Sequence, residues 1–313
     1  MQKPEVSFIT LSFNHFDQLN ESLKSVIQNT QDVSYEIIVT DNNSSEGDIC
    51  KKIIPDKRIR LFKNDRNLGW PKAINESVEK AVGEYICVVD NDVLFLENSA
   101  KKMVDYCKRF NEDIIIGPRL LNNDLTVQVS IADIITPSRQ FFQAIFFNAL
   151  FPSVSSFNFE HMNYKKIEIP TEVESMMGAC LFFRKSVFEK LNGFDKDLFF
   201  YSSDTDFCLR FRKAGGKVIY YPDTRVIHLG GVSSKSTVFS GFDNISLDMI
   251  KFCKKHFNLW DRILIYSFAS LGLIIRIPIW LIIGIIRLDK SIIRKSYLLF
   301  IKLIFLLRGI FSD

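Results

Sequence analysis

NLGWPKAINESVEKAVGEYICVVDND, residues 67–92, runs from a helical pattern into a buried strand and then into two carboxylates. Pro71 suits a first helical turn, and apolar residues recur at helical spacing as far as Ala81. Residues 85–89 are a continuous apolar run of the kind that sits buried in a sheet. Asp90 and Asp92 follow at once, and two carboxylates there are costly unless a cation or a donor meets them. Hard oxygen ligands suit Mg²⁺ or Mn²⁺, which takes one or two protein carboxylates and fills its sphere with phosphate oxygens and water. Alone the pair is a weak sign, because Asp and Asn also form turns after strands.

The same alternation continues on both sides. Residues 6–11, 36–40, 59–62 and 114–117 read as further buried strands, and 16–28 and 99–109 as helices. Strand and helix in alternation predict βαβ units: one Rossmann-like, mostly parallel sheet flanked by helices. Ligands of such sheets bind beyond the carboxyl ends of the strands, which is where Asp41, Asp90 and Asp92 fall. A second block has strands near 179–184 and 218–221 and a helix over 204–214, opened by Asp204 and Asp206 and stopped by Gly215-Gly216. Between the blocks, the Phe-rich stretches 139–151 and 155–166 read either as a core helix plus loop or as an acceptor-facing or membrane-facing insertion.

The chain has 313 residues, 47% hydrophobic and 24% charged, which excludes disorder and fibrous repeats. Its net charge of +4 is unevenly placed: 259–313 carries +5 and the rest −1, so a general nucleic-acid binder is excluded. Six cysteines without CxxC spacing argue for a reducing compartment, with no disulfide framework and no zinc site. The first residues lack a signal-peptide pattern, and a cytosolic body is expected.

Residues 67–92, with VSFITLSFNH (6–15), EIIVTDNNSS (36–45) and the block 176–231, resemble the inverting family 2 glycosyltransferases of the GT-A fold, and among these the rhamnosyltransferase-type branch. The resemblance implies a nucleotide-binding half over about 1–120, an acceptor half over about 121–240, and a separate tail over 241–313. It places Ser12, Phe13, Asn14, Asp41, Asn67, Gly69, Lys72, Asp90 and Asn91 at the donor, with Phe13 stacking on the base and Asp41 bonding it. Asp90, Asp92 and His228 are the implied metal ligands. Gly178 and Ala179 lie below the acceptor, Asp204 matches the general base, and Asp206 is a rival base on the acceptor side. The implied reaction moves a sugar from dTDP-rhamnose or a UDP-hexose to a lipid-linked or polysaccharide acceptor, with inversion at C1 and Mg²⁺ or Mn²⁺ as cofactor. Two departures stand out: Ser203 replaces a common Glu, and Ile74 an Arg that often contacts the diphosphate, leaving Lys72, Arg66 or the metal to meet that charge. They motivate the alternative of a catalytically silent, nucleotide-sugar-binding assembly partner. For His228 the competing reading is a turn residue bonded to backbone. His15, His161 and His256 read as residues without a site role.

Residues 263–286 are long and apolar enough to cross a bilayer, but Arg276 sits in the middle at a cost of about 2.5–3.5 kcal/mol. At ~100° per residue, Arg287, Lys290, Arg294, Lys295, Lys302 and Arg308 fall within an arc of about 140°, with Asp289 outside it. That pattern predicts an in-plane helix on an anionic membrane surface, at the cytoplasmic face. The competing reading is burial against another subunit.

Overall fold

The computed structural model describes residues 3–110, 112–151, 167–230 and 238–310; the stretch 155–166, with His161, lies outside the described residues. The chain divides into two compact units, Met1–Ala132 with Tyr164–Ser236, and Asp133–Asn163 with Thr237–Asp313.

The first unit is built on a nine-stranded sheet. Its strands are β1 (Val6–Ser12), β2 (Tyr35–Asp41), β3 (Ile59–Lys63), β4 (Tyr85–Val89), β5 (Val93–Phe95), β6 (Ile114–Leu121), β8 (Thr171–Glu172), β10 (Cys180–Arg184) and β11 (Lys217–His228). The order is β3-β2-β1-β4-β10-β6-β11-β5, with β8 paired to β11, and β7 (Ile131–Ala132) pairs β9 (Ser175–Met176) apart from it. Strands β1 to β4, β6 and β11 run one way; β10, β5 and β8 run against them. The carboxyl ends of β1, β2, β4 and β11 and the amino end of β10 therefore share one edge.

Helices cover both faces because the central strands are apolar on both. Phe8, Val39 and Cys87 pack with Phe16, Leu19 and Leu23 of α1 (Phe16–Asn29) and with Met103 and Val104 of α4 (Ser99–Phe110). On the other face Phe183 meets Phe207 of α8 (Ser203–Lys213) at 5.1 Å. There too lies α3 (Trp70–Glu79), whose Ala73, Ile74 and Val78 are buried. Each such side chain contributes about 1.5–3 kcal/mol when fully buried. Ile74 is thus a core residue.

Two differences from the expected strands shape the site. The 218–221 strand continues to His228 through an irregularity between Tyr221 and Arg225. Pro222 lacks an N–H, and an irregularity accommodates it where a regular ladder would not. The short β5 leaves the Asp90–Asp92 turn and pairs antiparallel with the end of β11, setting His228 opposite Val93.

The second unit is assembled from two separate stretches of the chain. Residues 133–151 group with the tail. They form α5 (Pro137–Ala144), capped by Thr136, and α6 (Phe147–Leu150). The tail follows as α9 (Val238–His256), α10 (Leu259–Ile286) and α11 (Lys290–Ile310). The reason is local: Arg276 of α10 donates to the Gln143 carbonyl of α5 at 2.6 Å and lies 4.5 Å over the Phe146 ring. Gly272 leaves room for this, since a Cβ there would come 3.1 Å from Ala144 Cα.

The expected single basic stripe is also broken. Leu288 is left-handed (φ 52°) and Asp289 accepts from the Ser291 amide and hydroxyl, so the chain reverses and α11 packs back on α10. Arg287 precedes that turn, and the common arc does not include it. Lys290, Arg294, Lys295 and Lys302 remain together on α11, and the side chain of Arg308 lies outside the described residues.

Candidate active site

At the shared edge, β4 ends and the chain turns tightly, the Val93 amide donating to the Asp90 carbonyl at 3.2 Å. The Asp90 amide donates to the Ala179 carbonyl at 2.9 Å, which ties this turn to the start of β10. Asn91 and Asp92 are buried and Asp90 is partly exposed. Burial, then the neighbouring Asp92, push the Asp90 carboxyl up to about 7; Trp70 acts in opposition, and Asp204 adds a smaller push upward. Like charges raise one another only when they are close. The Ala179 carbonyl takes the Asp90 amide while the adjacent Gly178 amide donates to Asp204 Oδ2, so both acidic groups are tied to one two-residue stretch at the start of β10.

The ends of β11 and β5 deliver the third group. His228 Nε2 lies 3.5 Å from Asp92 Oδ1. One ligand atom from each of Asp90, Asp92 and His228 lies within 4.8 Å of the others. Burial lowers the His228 pKa while Asp92 opposes it, so the ring is held neutral, with a lone pair for a ligand. Its orientation is determined by a residue the sequence did not reveal. Gln128 Nε2 donates to the Asn122 side-chain oxygen at 3.0 Å and to the His228 carbonyl at 3.1 Å. Its Oε1, 2.7 Å from His228 Nδ1, is then the acceptor, and the proton sits on Nδ1. Nε2 is left unprotonated toward the carboxylates. An outer partner of this kind is a usual accompaniment of a metal-binding imidazole. Two crowded carboxylates, one with its pKa raised, and an imidazole of fixed tautomer fit a divalent cation.

Across the edge, Asp204 occupies the first turn of α8, whose N-terminal dipole favours an anion. Its Oδ2 accepts from the Gly178 amide at 2.8 Å and its Oδ1 from the Thr205 amide at 2.7 Å. Burial raises its pKa, and these amides pull it back. Gly178 permits the approach, because a Cβ would sit 3.3 Å from Asp204 Cβ. Ala179 is buried beneath, and Ser203 is turned inward, its hydroxyl donating to the Phe200 carbonyl.

Asp206 is not brought to this site. It is fully buried and accepts from Arg210 Nε at 2.7 Å, while Arg210 also donates to the Leu191 and Gly193 carbonyls. Two helical positions from Asp204 point it some 200° away, into the body of the unit. The expected acceptor or base role is replaced by an internal ion pair.

The residues expected at the donor line the ends of β1, β2 and α3. Ser12 is buried, and Phe13 stands 37% exposed, free to stack. Asn14, left-handed at φ 63°, accepts from the Ser45 amide and hydroxyl, joining the loops after β1 and β2. Asp41 is fully buried; its Oδ1 accepts from the Ser44 amide, and its Oδ2 has no hydrogen-bond partner among the described residues. Asn67 accepts from the Gly69 amide, and Gly69 (φ 78°) has the Phe199 carbonyl where a Cβ would fall, at 2.6 Å. Lys72 is exposed on the first turn of α3. Asn42 went unnoticed inside DNNSS: it donates to Asn67 and accepts from Asn64 and the Leu68 amide, holding the 64–69 loop. Trp70, also unremarked, opposes the rise in the Asp90 pKa and packs edge-on against Phe194 at 4.9 Å.

An α/β sheet with acidic residues and a histidine gathered at its carboxyl edge defines a GT-A-like fold. The chain belongs to glycosyl transferase family 2, whose model matches residues 7–191, and residues 160–230 also match the model described as the N-terminal domain of galactosyltransferase. Among curated relatives it is 26% identical over 207 residues to the N-acetylglucosaminyl-diphospho-decaprenol L-rhamnosyltransferase of Mycobacterium tuberculosis, a match covering 61% of this chain and 66% of that one. It is 23% identical over 234 residues to the glucosyl-dolichyl phosphate glucuronosyltransferase of Haloferax volcanii, covering 72% and 69%. The match thus spans just under two thirds of the mycobacterial relative's own length. The crystal structure of Staphylococcus aureus TarS 1–349 in complex with UDP superposes with a TM-score of 0.51 at 14% identity, covering 84% of this chain and 70% of that one. That likeness bears on the fold.

Proposed function

We propose that this protein transfers one sugar from a nucleoside-diphosphate-sugar, dTDP-rhamnose or a UDP-hexose, to a lipid-linked or polysaccharide acceptor with inversion at C1. The observation that supports the proposal is the attachment of Asp90 and Asp204 to the adjacent residues Ala179 and Gly178, beside the cluster of Asp90, Asp92 and His228. Inverting transfer needs a leaving-group site and a base on opposite sides of one sugar.

Asp41 supplies a buried carboxylate oxygen with an open acceptor valence, suited to the N–H of a pyrimidine base, and Phe13 a ring to stack on it. Asn14 and Asn67 pin the loops around the nucleotide. Asp90, Asp92 and His228 would hold a divalent cation, which neutralises charge on the departing diphosphate. The imidazole beside two carboxylates suits Mn²⁺ as well as Mg²⁺. Asp204, anchored by two amides and the helix end, takes the proton from the attacking hydroxyl as that oxygen forms its bond to C1. The Mycobacterium and Haloferax relatives are named for polyprenyl- and dolichyl-linked substrates, which supports a lipid-linked acceptor. Six free cysteines support a reducing compartment and hence work at the cytoplasmic face.

The test is a panel of nucleotide-sugars screened by thermal shift with Mn²⁺, since a ligand bound to the native state raises the melting point by mass action. Release of nucleoside diphosphate with acceptor extracts is then measured for the intact chain and for Asp204→Asn. We expect Asp204→Asn to bind donor normally and to lose about 10²–10⁴-fold in kcat. Full turnover by Asp204→Asn refutes the base assignment, and donor binding without transfer to any acceptor supports the silent-partner reading instead.

A further inference from the structure

The second unit leaves a large apolar surface uncovered by its own packing. On α10 the exposed side chains include Trp260, Leu264, Leu271, Ile274, Ile282 and Ile285. At about 100° per residue these six share an arc of roughly 80° along the whole helix. On α11 the exposed Ile293, Tyr297, Phe300, Ile304 and Leu307 share an arc of the same width. Each stripe lies about 110–130° round from the helix's buried face, marked by Leu273 and Gly284 on α10 and by Leu303 and Leu306 on α11. Because the two helices run antiparallel, those rotations bring both stripes to one side of the hairpin. Monomeric soluble proteins rarely expose a continuous apolar face of this extent.

Charge distinguishes among possible occupants. Residues 290–310 contain no Asp or Glu. Lys290, Arg294, Lys302 and Lys295 fall about 60° to 200° round from the centre of the α11 stripe, on one flank only. A symmetric contact with a second copy about an axis across the helices would bring these basic flanks against one another. Arg276 is turned away from the stripe and engaged with the Gln143 carbonyl. Among the described residues α10 is the one helix long and apolar enough to cross a membrane. Were it to cross, α11 would return through the hydrocarbon with Arg294, Lys295 and Lys302 spread over about 12 Å of its length, where charges are strongly disfavoured.

We propose that the α10–α11 hairpin lies in the plane of an anionic bilayer, its two apolar stripes sunk into one leaflet and its basic flank at the phosphates. The hairpin enters and leaves from the same side, so the protein is held to the membrane without spanning it. This inference stands on the hairpin alone and does not depend on the sugar-transfer reading.

The experiment is co-flotation of the full chain with vesicles of phosphatidylcholine, with and without phosphatidylserine. Binding should be at least tenfold tighter with phosphatidylserine and should weaken with salt. Neutralising the two charges nearest the stripe, Lys290→Gln with Arg294→Gln, should weaken anionic-vesicle binding by about 25-fold, roughly fivefold per charge. Phe300→Asp should weaken binding to both vesicle types. For each variant, far-ultraviolet circular dichroism and the melting temperature report whether the chain is folded. Orientation is read from Leu288→Cys in a Cys50→Ser background, labelled with a membrane-impermeant maleimide added outside reconstituted vesicles. Full labelling is expected for a hairpin in the outer leaflet. Protection of that turn means a spanning hairpin and overturns the proposal. So does equal binding to neutral and anionic vesicles, or no binding at all. A concentration-dependent dimer broken by Phe300→Asp, without vesicle binding, assigns the stripes to a second copy and also overturns it.

Discussion

Replacing Gly178 by Ala tests whether the position of the Asp204 carboxylate, and not merely its presence, governs transfer. Gly178 does not have a left-handed φ, so Ala carries no backbone penalty there. The added methyl would lie 3.3 Å from Asp204 Cβ and 3.4 Å from Oδ2. Carbon atoms settle at about 3.5–4.0 Å, so the Asp204 side chain must yield by a few tenths of an ångström. The 2.8 Å bond from the Gly178 amide resists that movement. A misplacement of about 1 Å costs on the order of 100-fold in rate, and this smaller one should cost about 5–30-fold, or roughly 1–2 kcal/mol of transition-state stabilisation. Steady-state kinetics should show that loss in kcat, with the donor KM unchanged and the melting temperature within about 3 °C of the parent. In an Asp204→Asn background the same substitution should cost nothing further, because both changes act on one group. A kcat within twofold of the parent, or an equal loss in both backgrounds, refutes the reasoning.

Three further outcomes are expected. Gln128→Met removes the acceptor that keeps the His228 proton on Nδ1; Mn²⁺ affinity by electron paramagnetic resonance should fall about 10–100-fold, and the ring nitrogen shifts should show mixed tautomers. Asp206→Asn leaves the Arg210 guanidinium partnered only by carbonyls, so stability should drop by about 3 kcal/mol and the melting point by about 6–12 °C, with donor affinity retained. The bonds from Arg58 hold the Asp56 carboxyl at about 2, against an ordinary 3.8. A depressed carboxylate stabilises the fold above its unfolded pKa, so the stability gap between the parent and Asp56→Asn in urea should be constant above pH 4 and close between pH 4 and 2.

The match between expected and observed elements was closest where local signals were redundant. The 85–89 strand appears with its expected ends, and the helix after Pro71 begins one residue early at Trp70. Asp90, Asp92 and Asp204 were conspicuous because a carboxylate straight after a buried run, or at a helix start, contrasts with its surroundings. Gln128 offered no such contrast. Its role depends on the Gln128 amide bonding the Leu120 carbonyl and on β11 extending past Pro222 to His228, two long-range pairings that no local pattern encodes. Asp206 stood as a rival base because Ser203 replaces the common Glu, although helical spacing already turned it some 200° from Asp204. Only the fold placed the Leu191 and Gly193 carbonyls around Arg210 and made the pair internal.

Periodicity, turn residues and the run of apolar strands sufficed by themselves for the α/β class, the sheet edge that carries the site, and a basic apolar tail. These are consequences of nearest-neighbour backbone preference and of which faces must be hidden from water. Tertiary structure alone decided that 133–151 packs with the tail, that the tail folds back at Leu288, and that His228 carries its proton on Nδ1. Each of those depends on a partner distant in sequence, such as the Gln143 carbonyl for Arg276 or Gln128 for His228, and a polar group becomes committed only once its partner is fixed in space.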